Sequence, residues 1–242
     1  MSVALLGATS AGVAAGAAAL GTGLWGVYGV NSRVFGRAIG HGDPGPPDHP
    51  HLYLTFDDGP NAQATPRILD TLERERVPAA FFMVGRHVRL FPELARAVVG
   101  AGHEAGNHTD SHIKLHRRSP GTIRRELEAA HATLLDATGR APRSFRAPHG
   151  FRNPFVVPAA SRLGYRVFGW SFGVWDTALP GEEEIRRRMR SKLSPGAILL
   201  LHDGDGYDTR GDRLQTAGAL PGIIQDARDA GYRFRPLTDL LA

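Results

Sequence analysis

Two pairs of side chains carry the chemistry most visibly. Adjacent carboxylates stand in Thr55-Phe56-Asp57-Asp58-Gly59-Pro60, and two imidazoles stand in Gly106-Asn107-His108-Thr109-Asp110-Ser111-His112. Neighbouring side chains on a strand point in opposite directions, so one of Asp57 and Asp58 can hold a cation while the other works on a water. His108 and His112 are spaced i, i+4, which lets both rings face one metal ion. With Asp58 they make a set of two histidines and a carboxylate that leaves a coordination position open, as water activation requires. The chain has no cysteine, which excludes thiolate zinc sites, a cysteine nucleophile and a disulfide framework. The ordinary alternatives are a solvated Asp-Asp-Gly turn and an exposed histidine pair. His87, His103, His116 and His131 read as surface or helix positions without a partner.

These residues need elements to position them. The pattern predicts strands at Leu52–Phe56, Ala79–Val84, Glu104–Asn107, Ser144–Arg146, Tyr165–Ser171, Ala197–His202 and Arg233–Arg235, with amphipathic helices such as Thr122–Ala137 and Leu214–Ala230. Repeated β-α units imply a parallel sheet, closed into a barrel or doubly wound. Seven strands would leave a barrel incomplete. Asp57 and Asp58 follow the first strand, His108 and His112 the third, Arg146 the fourth, Asp176 the fifth, and His202 with Asp203 the sixth. In a β/α barrel those carboxyl ends share one face, so residues far apart in sequence can converge in one pocket.

Four ordered motifs, Thr55–Pro60, Gly106–His112, Arg146-Ala147-Pro148-His149-Gly150 and Leu199-Leu200-Leu201-His202-Asp203, resemble those of the polysaccharide deacetylase family, also called the NodB-homology domain or carbohydrate esterase family 4. The resemblance runs from about Tyr53 to the C-terminus. It implies a distorted, incomplete (β/α)7-type barrel that uses a divalent metal, zinc or else cobalt, nickel or manganese, to remove N-acetyl groups from amino-sugar polymers. By position, Asp57 matches the catalytic base, and Asp58, His108 and His112 the metal ligands. Arg146 matches the residue that orients the base, His202 the general acid and Asp176 its supporting carboxylate. A backbone N–H contact to the oxyanion would come from His149, where tyrosine is commoner in the family. Leu200 and Trp175 resemble the pocket for the acetyl methyl. Around Asp176 the chain departs from the pattern, with Gly173 where the family often has a further Asp and Thr177 where it often has Trp.

The chemistry is consistent with that set, because amide hydrolysis needs an activated water, oxyanion stabilisation and a proton for the departing nitrogen. Two other readings remain at this point: a hydrolase acting on O-acetyl esters or small amides, and a glycan-binding protein that has lost catalysis. The loop Gly204–Asp212 could cover a substrate; its Asp-x-Asp-Gly start lacks the closing Glu of a calcium loop.

Outside the resemblance, Ser2–Ser32 carries no charged residue, long enough for a membrane span. We expect an N-terminal transmembrane anchor over residues 1–32, a Pro/Gly-rich linker over 33–48 and the catalytic domain over 49–242. A cleaved signal peptide lacks its usual basic start here, and a buried Ala/Gly-rich helix is the remaining alternative. Arg33 and Arg37 after the span favour a cytoplasmic domain, whereas an N-acetylated wall or extracellular glycan lies outside; the substrate argument carries more weight, so the expectation is extracytoplasmic. The net charge of +5 and pI near 10.1 favour anionic partners. No strip of interleaved aromatic and basic residues supports nucleic-acid binding.

Overall fold

The first strand of the sheet is buried on both faces, Leu52, Leu54 and Phe56 on one and Tyr53, Thr55 and Asp57 on the other, as in a sheet covered on both sides. In the computed structural model, which describes residues 2–241 and the side chains from Ala14 onward, β1 (His51–Asp57) is buried at every residue from Leu52. It is followed by α2 (Ala64–Glu75), β2 (Ala79–Met83), α3 (Gly85–Leu90), α4 (Pro92–Gly100), β3 (Glu104–Asn107), α5 (Pro120–Thr138), β4 (Ser144–Phe145), α6 (Val156–Arg162), β5 (Arg166–Val167), β6 (Phe172–Gly173), α7 (Glu182–Arg190), β7 (Ala197–His202), α8 (Leu214–Asp229) and β8 (Arg233–Phe234). Local signals set the boundaries. Helix α5 starts at Ser119, whose Oγ accepts from Thr122 N, takes Pro120 at its first position, and stops at Gly139 with φ 70°.

The strand order is β5-β4-β3-β2-β1-β7-β6, and every strand pairing is parallel. Strand β8 pairs with the first two residues of β1, ahead of the point where β2 takes over that edge. The sheet curls into an incomplete α/β barrel, with β5 and β6 at its two ends although only four residues separate them in sequence. This corrects one expectation. Tyr165–Ser171 is not a single strand, because the chain leaves β4 after Val167 and joins β7 at Phe172, crossing the open seam between.

The segment over 33–48 has little regular structure, as its prolines and glycines predict, yet it is packed into that seam. Ile39 bridges in parallel to Phe168, and His41 bridges antiparallel to Ala197. Ile39 N donates to Val167 O at 2.8 Å, Gly169 N donates to Ile39 O at 2.9 Å, and Gly42 N donates to Gly196 O at 2.8 Å. Residues 39–42 therefore occupy the place that a missing strand would fill.

Before this strap comes α1 (Ser2–Tyr28). Among the described residues no helix is long and apolar enough to cross a membrane, and the side chains of residues 1–13 of the expected span lie outside them. The end of α1 is held to the domain by Arg152, which is 2% exposed. Its Nη2 donates to the carbonyls of Gly29 at 3.2 Å, Val30 at 2.9 Å and Ser32 at 2.9 Å, and its Nη1 to that of Gly36 at 3.4 Å. Among the described residues no carboxylate pairs with it, so carbonyl dipoles offset its burial, which pulls its pKa down.

Arg152→Ala should cost about 3 kcal/mol by removing the donor to the Val30, Ser32 and Gly36 carbonyls, while Gly29 O keeps Ser32 N. Denaturant unfolding measures the loss. Limited proteolysis should cut the variant between residues 29 and 42, and an uncut strap would show that other contacts hold it.

Candidate active site

The carboxyl ends of β1, β3, β4 and β7 and the chain after β6 meet around a cleft of about 630 Å³, a size that suits a small ligand. Asp57, Asp58, His108, His112, His149, Trp175, Leu200 and His202 line it. Arg146 and Asp176 stand behind it, both 0% exposed.

The ligand atoms of Asp58, His108 and His112 all lie within 4.8 Å of one another. Asp58 Oδ1 is 3.3 Å from His108 Nε2 and 3.0 Å from His112 Nε2, and this buried oxygen has no well-formed hydrogen bond. His108 Nδ1 is 2.8 Å from the Arg146 carbonyl oxygen; donating there leaves Nε2 bare towards the cluster, the arrangement a metal-binding histidine uses. The donor set fits a divalent cation, with a buried carboxylate oxygen awaiting a positive partner. Burial opposes ionisation of Asp58, but the two imidazoles outweigh it and hold its pKa well below the usual carboxylate range.

Asp57 is fixed differently. Its Oδ1 accepts from Arg146 Nη1 at 2.6 Å, while Oδ2 stands 3.8 Å from His108 Nε2. The Arg146 guanidinium also donates to Thr55 Oγ1 at 2.8 Å and Gly169 O at 2.8 Å, and lies 4.1 Å over the Phe82 ring centroid. Burial lowers its pKa and Asp57 opposes that shift; an arginine remains charged even so.

Across the sheet at β7, His202 Nδ1 is 2.9 Å from Asp176 Oδ1, and Asp176 Oδ2 accepts from His202 N at 2.8 Å and from Thr216 Oγ1 at 2.9 Å. Burial lowers the His202 pKa, but Asp176, with smaller help from Asp58 and Asp57, raises it to about 9. Its ring is therefore an imidazolium at neutral pH. Burial works against ionisation of Asp176, and the His202 charge reverses the sign, leaving its pKa low.

Backbone strain concentrates here. Of the seven non-glycine residues at positive φ among the described residues, Asp58, Thr109, His112, His149 and Trp175 lie in the loops of the cleft. Such conformations cost about 1–3 kcal/mol each and persist where surrounding contacts over-determine them. Asn107 Oδ1 accepts from Thr109 N at 2.8 Å, and Thr109 Oγ1 accepts from His112 N at 3.0 Å, so the turn carrying both histidines is tied internally. Gly204 and Gly206 are needed for contact reasons: a Cβ would collide with the Asp58 carbonyl at the first and with the His112 ring at the second.

A profile of the family described as polysaccharide deacetylase matches residues 45–168. The chain is 38% identical over 196 residues to a chitooligosaccharide deacetylase of Bradyrhizobium sp. (strain ANU 289), covering 78% of this chain and 90% of that protein. The chain belongs to the polysaccharide deacetylase family. It is also 35% identical over 192 residues to a peptidoglycan-N-acetylglucosamine deacetylase of Bacillus cereus, covering 78% of this chain and 87% of the relative. The crystal structure of a CE4 family pseudoenzyme from Bacillus anthracis matches with TM-score 0.75 and 28% identity, over 85% of this chain and 69% of that one. A likeness that reaches a pseudoenzyme makes the side chains, not the barrel, decide whether this polysaccharide deacetylase homologue is active.

All ten residues expected from the sequence thus come to one place, eight on the cleft and two behind it. His149 lines the cleft with its Nε2 2.9 Å from the Tyr207 hydroxyl. Burial, then repulsion from His112, lowers its pKa to about 4, so the ring is neutral. Trp175 is 74% exposed and Leu200 is 6% exposed. The four histidines set aside in the sequence all have partners. His87 is 1% exposed and its Nδ1 lies 2.9 Å from the Asp58 carbonyl oxygen; His103 accepts from Ala79 N; His116 packs on Tyr28 and Phe151; His131 meets the Tyr165 hydroxyl. Val30, Phe151, Trp170, Tyr207 and Arg213 also line the cleft and were not foreseen. Only Tyr207, in the loop after His202-Asp203, carried a sequence hint.

Metal analysis separates the carboxylates. Asp58→Asn, His108→Ala and His112→Ala should each lose bound metal, whereas Asp57→Asn should retain it and lose turnover by about 1000-fold. His87→Leu should weaken metal affinity by about 10-fold through the freed Asp58 carbonyl. Metal-free Asp57→Asn beside loaded Asp58→Asn would reverse the two assignments.

Proposed function

We propose that this protein is a metal-dependent N-deacetylase of amino-sugar glycans, of the chitin-oligomer or peptidoglycan type. The observation that carries it is the pairing, within one cleft, of a carboxylate held by Arg146 and an imidazolium held by Asp176 beside a three-ligand metal set. The names of the relatives at 38% and 35% identity support the substrate class.

A divalent cation held by Asp58, His108 and His112 would supply Lewis acidity there, lowering the pKa of water from 15.7 to around 7 and polarising the acyl carbonyl; zinc fits the donors best among zinc, cobalt, nickel and manganese. Asp57 takes the proton from the attacking water on Oδ2, the oxygen that Arg146 leaves free. The water oxygen bonds to the acyl carbon. The backbone N–H of His149 would donate to the developing oxyanion, and Leu200 with Trp175, on the same cleft wall, would receive the acetyl methyl. His202 donates from Nε2, because Nδ1 is engaged with Asp176, and the C–N bond breaks as the nitrogen is protonated. Acetate and a free amine leave.

An acid held as strongly protonated as His202 suits the expulsion of an amine, which cannot depart unprotonated, and this favours the N-acetyl amide over an O-acetyl ester. The presence of base, acid and all three ligands argues against a glycan-binding protein without activity. An N-acetylated wall or extracellular polymer would place the domain outside the cytoplasm. Acetate release from N-acetylated chito-oligomers and peptidoglycan, set against O-acetylated glycans, tests this function. Release from the esters alone would overturn it.

The pH dependence follows from His202. Its acid form persists below about 9 and is lost above, so activity falls on the alkaline side. Asp176→Asn removes the main cause of the raised pKa, so the alkaline limb should move to lower pH and kcat should fall about 100-fold. A pH profile of kcat for both proteins checks this; an unmoved limb would detach Asp176 from the acid.

A further inference from the structure

The anchor expected from the sequence and the cleft are not joined by a flexible tether. Val30, two residues beyond α1, is part of the cleft wall, beside Phe151 and Trp170. Asn31 Nδ2 donates to Trp170 O at 2.9 Å, and the Tyr28 ring packs 5.1 Å from Phe151. Whatever surface receives α1 therefore lies at the cleft, with no length of loose chain over which the site could range.

The surroundings of that exit are apolar, then basic. On α1 itself Leu20, Leu24, Trp25 and Tyr28 are exposed by 65%, 50%, 61% and 46%. Around its end, Arg33, Arg37, Lys114, Arg117 and Arg118 are exposed and form no side-chain ion pair among the described residues. These stretches are joined by Arg152 and by Asn153 Nδ2 donating to the Leu115 and Arg118 carbonyls. Residues 2–42 and 111–119 together hold these five cations and no Asp or Glu. An uncharged helix ringed by unpaired cations matches a bilayer with anionic headgroups, whose surface potential attracts basic residues beside an inserted segment.

We propose that α1 and this basic collar seat the protein on an anionic bilayer with the cleft at headgroup level, and that its substrate is an N-acetylated glycan borne on a membrane lipid. The substrate claim rests on the deacetylase reading above. Without a tether, polymer remote from the membrane is out of reach, while a glycan on a lipid diffuses to the cleft in two dimensions at high effective concentration.

The test uses the full chain, loaded with zinc, in phosphatidylcholine vesicles with and without phosphatidylglycerol. One substrate is an N,N′-diacetylated disaccharide on a dialkyl lipid in the same vesicles; the other is the same disaccharide as its soluble methyl glycoside. Acetate release should favour the lipid-borne sugar by on the order of 100-fold. Reversing Arg33→Glu, Arg37→Glu, Arg117→Glu and Arg118→Glu together should abolish that preference and leave the rate on the soluble sugar unchanged; the four Arg→Gln changes serve if the reversal fails to fold. Equal rates on both sugars would overturn the proposal and leave the deacetylase reading standing, whereas no acetate from either would remove that reading and the proposal with it. Because the chain has no cysteine, a dye on Phe155→Cys, beside the collar, reports the seating independently of activity. Its emission should shift on anionic vesicles, while the same dye on Glu75→Cys should not. An unshifted Phe155→Cys probe on vesicle-bound protein would overturn the orientation.

Discussion

The buried guanidinium of Arg146 is the contact on which the rest of the site depends. Its side chain fixes Asp57 and Thr55 on β1 and the Gly169 carbonyl at the seam, while its own carbonyl receives Nδ1 of His108. One residue thus sets the orientation of the proposed base, Asp57, and the ring orientation of His108 in the candidate metal set. Taking both charges of the Arg146–Asp57 pair out of water costs several kcal/mol per ion, and a hydrophobic pair of equal volume would be no less stable. What the pair supplies is position, since it fixes Asp57 beside Thr55 and Gly169. The Phe82 face beneath the guanidinium and the Gly169 carbonyl offset part of the cost.

On the other side of the cleft Asp176 repeats this logic with the opposite outcome for the proton. Asp57 meets a permanent cation and is left free to accept. Asp176 meets an imidazole and keeps it charged. Two carboxylates of the same type thus take the different roles proposed for them because their partners differ, not because their own burial differs: they are 3% and 0% exposed. The strained turns at Asp58, His112 and His149 belong to the same economy of positioning, held by short local hydrogen bonds and by glycines that let the Gly204–Asp212 loop approach.

Much of this was legible in the sequence. The histidine pair was legible as a candidate, but not for the helical reason: His108 and His112 stand on an irregular turn with Thr109 and His112 at positive φ, and Asp58 meets them because β1 and β3 open on one face. The order of strands and the carboxyl-end rule placed Arg146 and His202 on the same face. Three things were not legible. Pattern cannot say that a run such as Tyr165–Ser171 changes partner strands midway, because both halves remain apolar and extended. It cannot say that His87 turns inward to the Asp58 carbonyl, because a helical histidine reads the same whether buried or exposed. A Pro/Gly-rich stretch reads as a linker whether it is solvated or packed in a seam, since what decides is the vacancy in the barrel that receives it.

That vacancy links fold to function. A complete eight-stranded barrel would close its own wall, and anything N-terminal to it could hang on a tether of any length. Here the sheet ends at β5 and β6, and residues 39–42 fill the space between them. The chain that fills it must arrive from the active-site face, because Arg152 holds residues 29–36 against the loop after β4 and Val30 enters the cleft wall. The incomplete barrel thereby fixes the direction from which α1 approaches and makes the N-terminal segment a structural part of the site. Changes that free that segment from Arg152 or remove the Val30 side chain should therefore act on the cleft as well as on location, whereas its exposed arginines touch neither, a coupling that a barrel with its seam closed would not have.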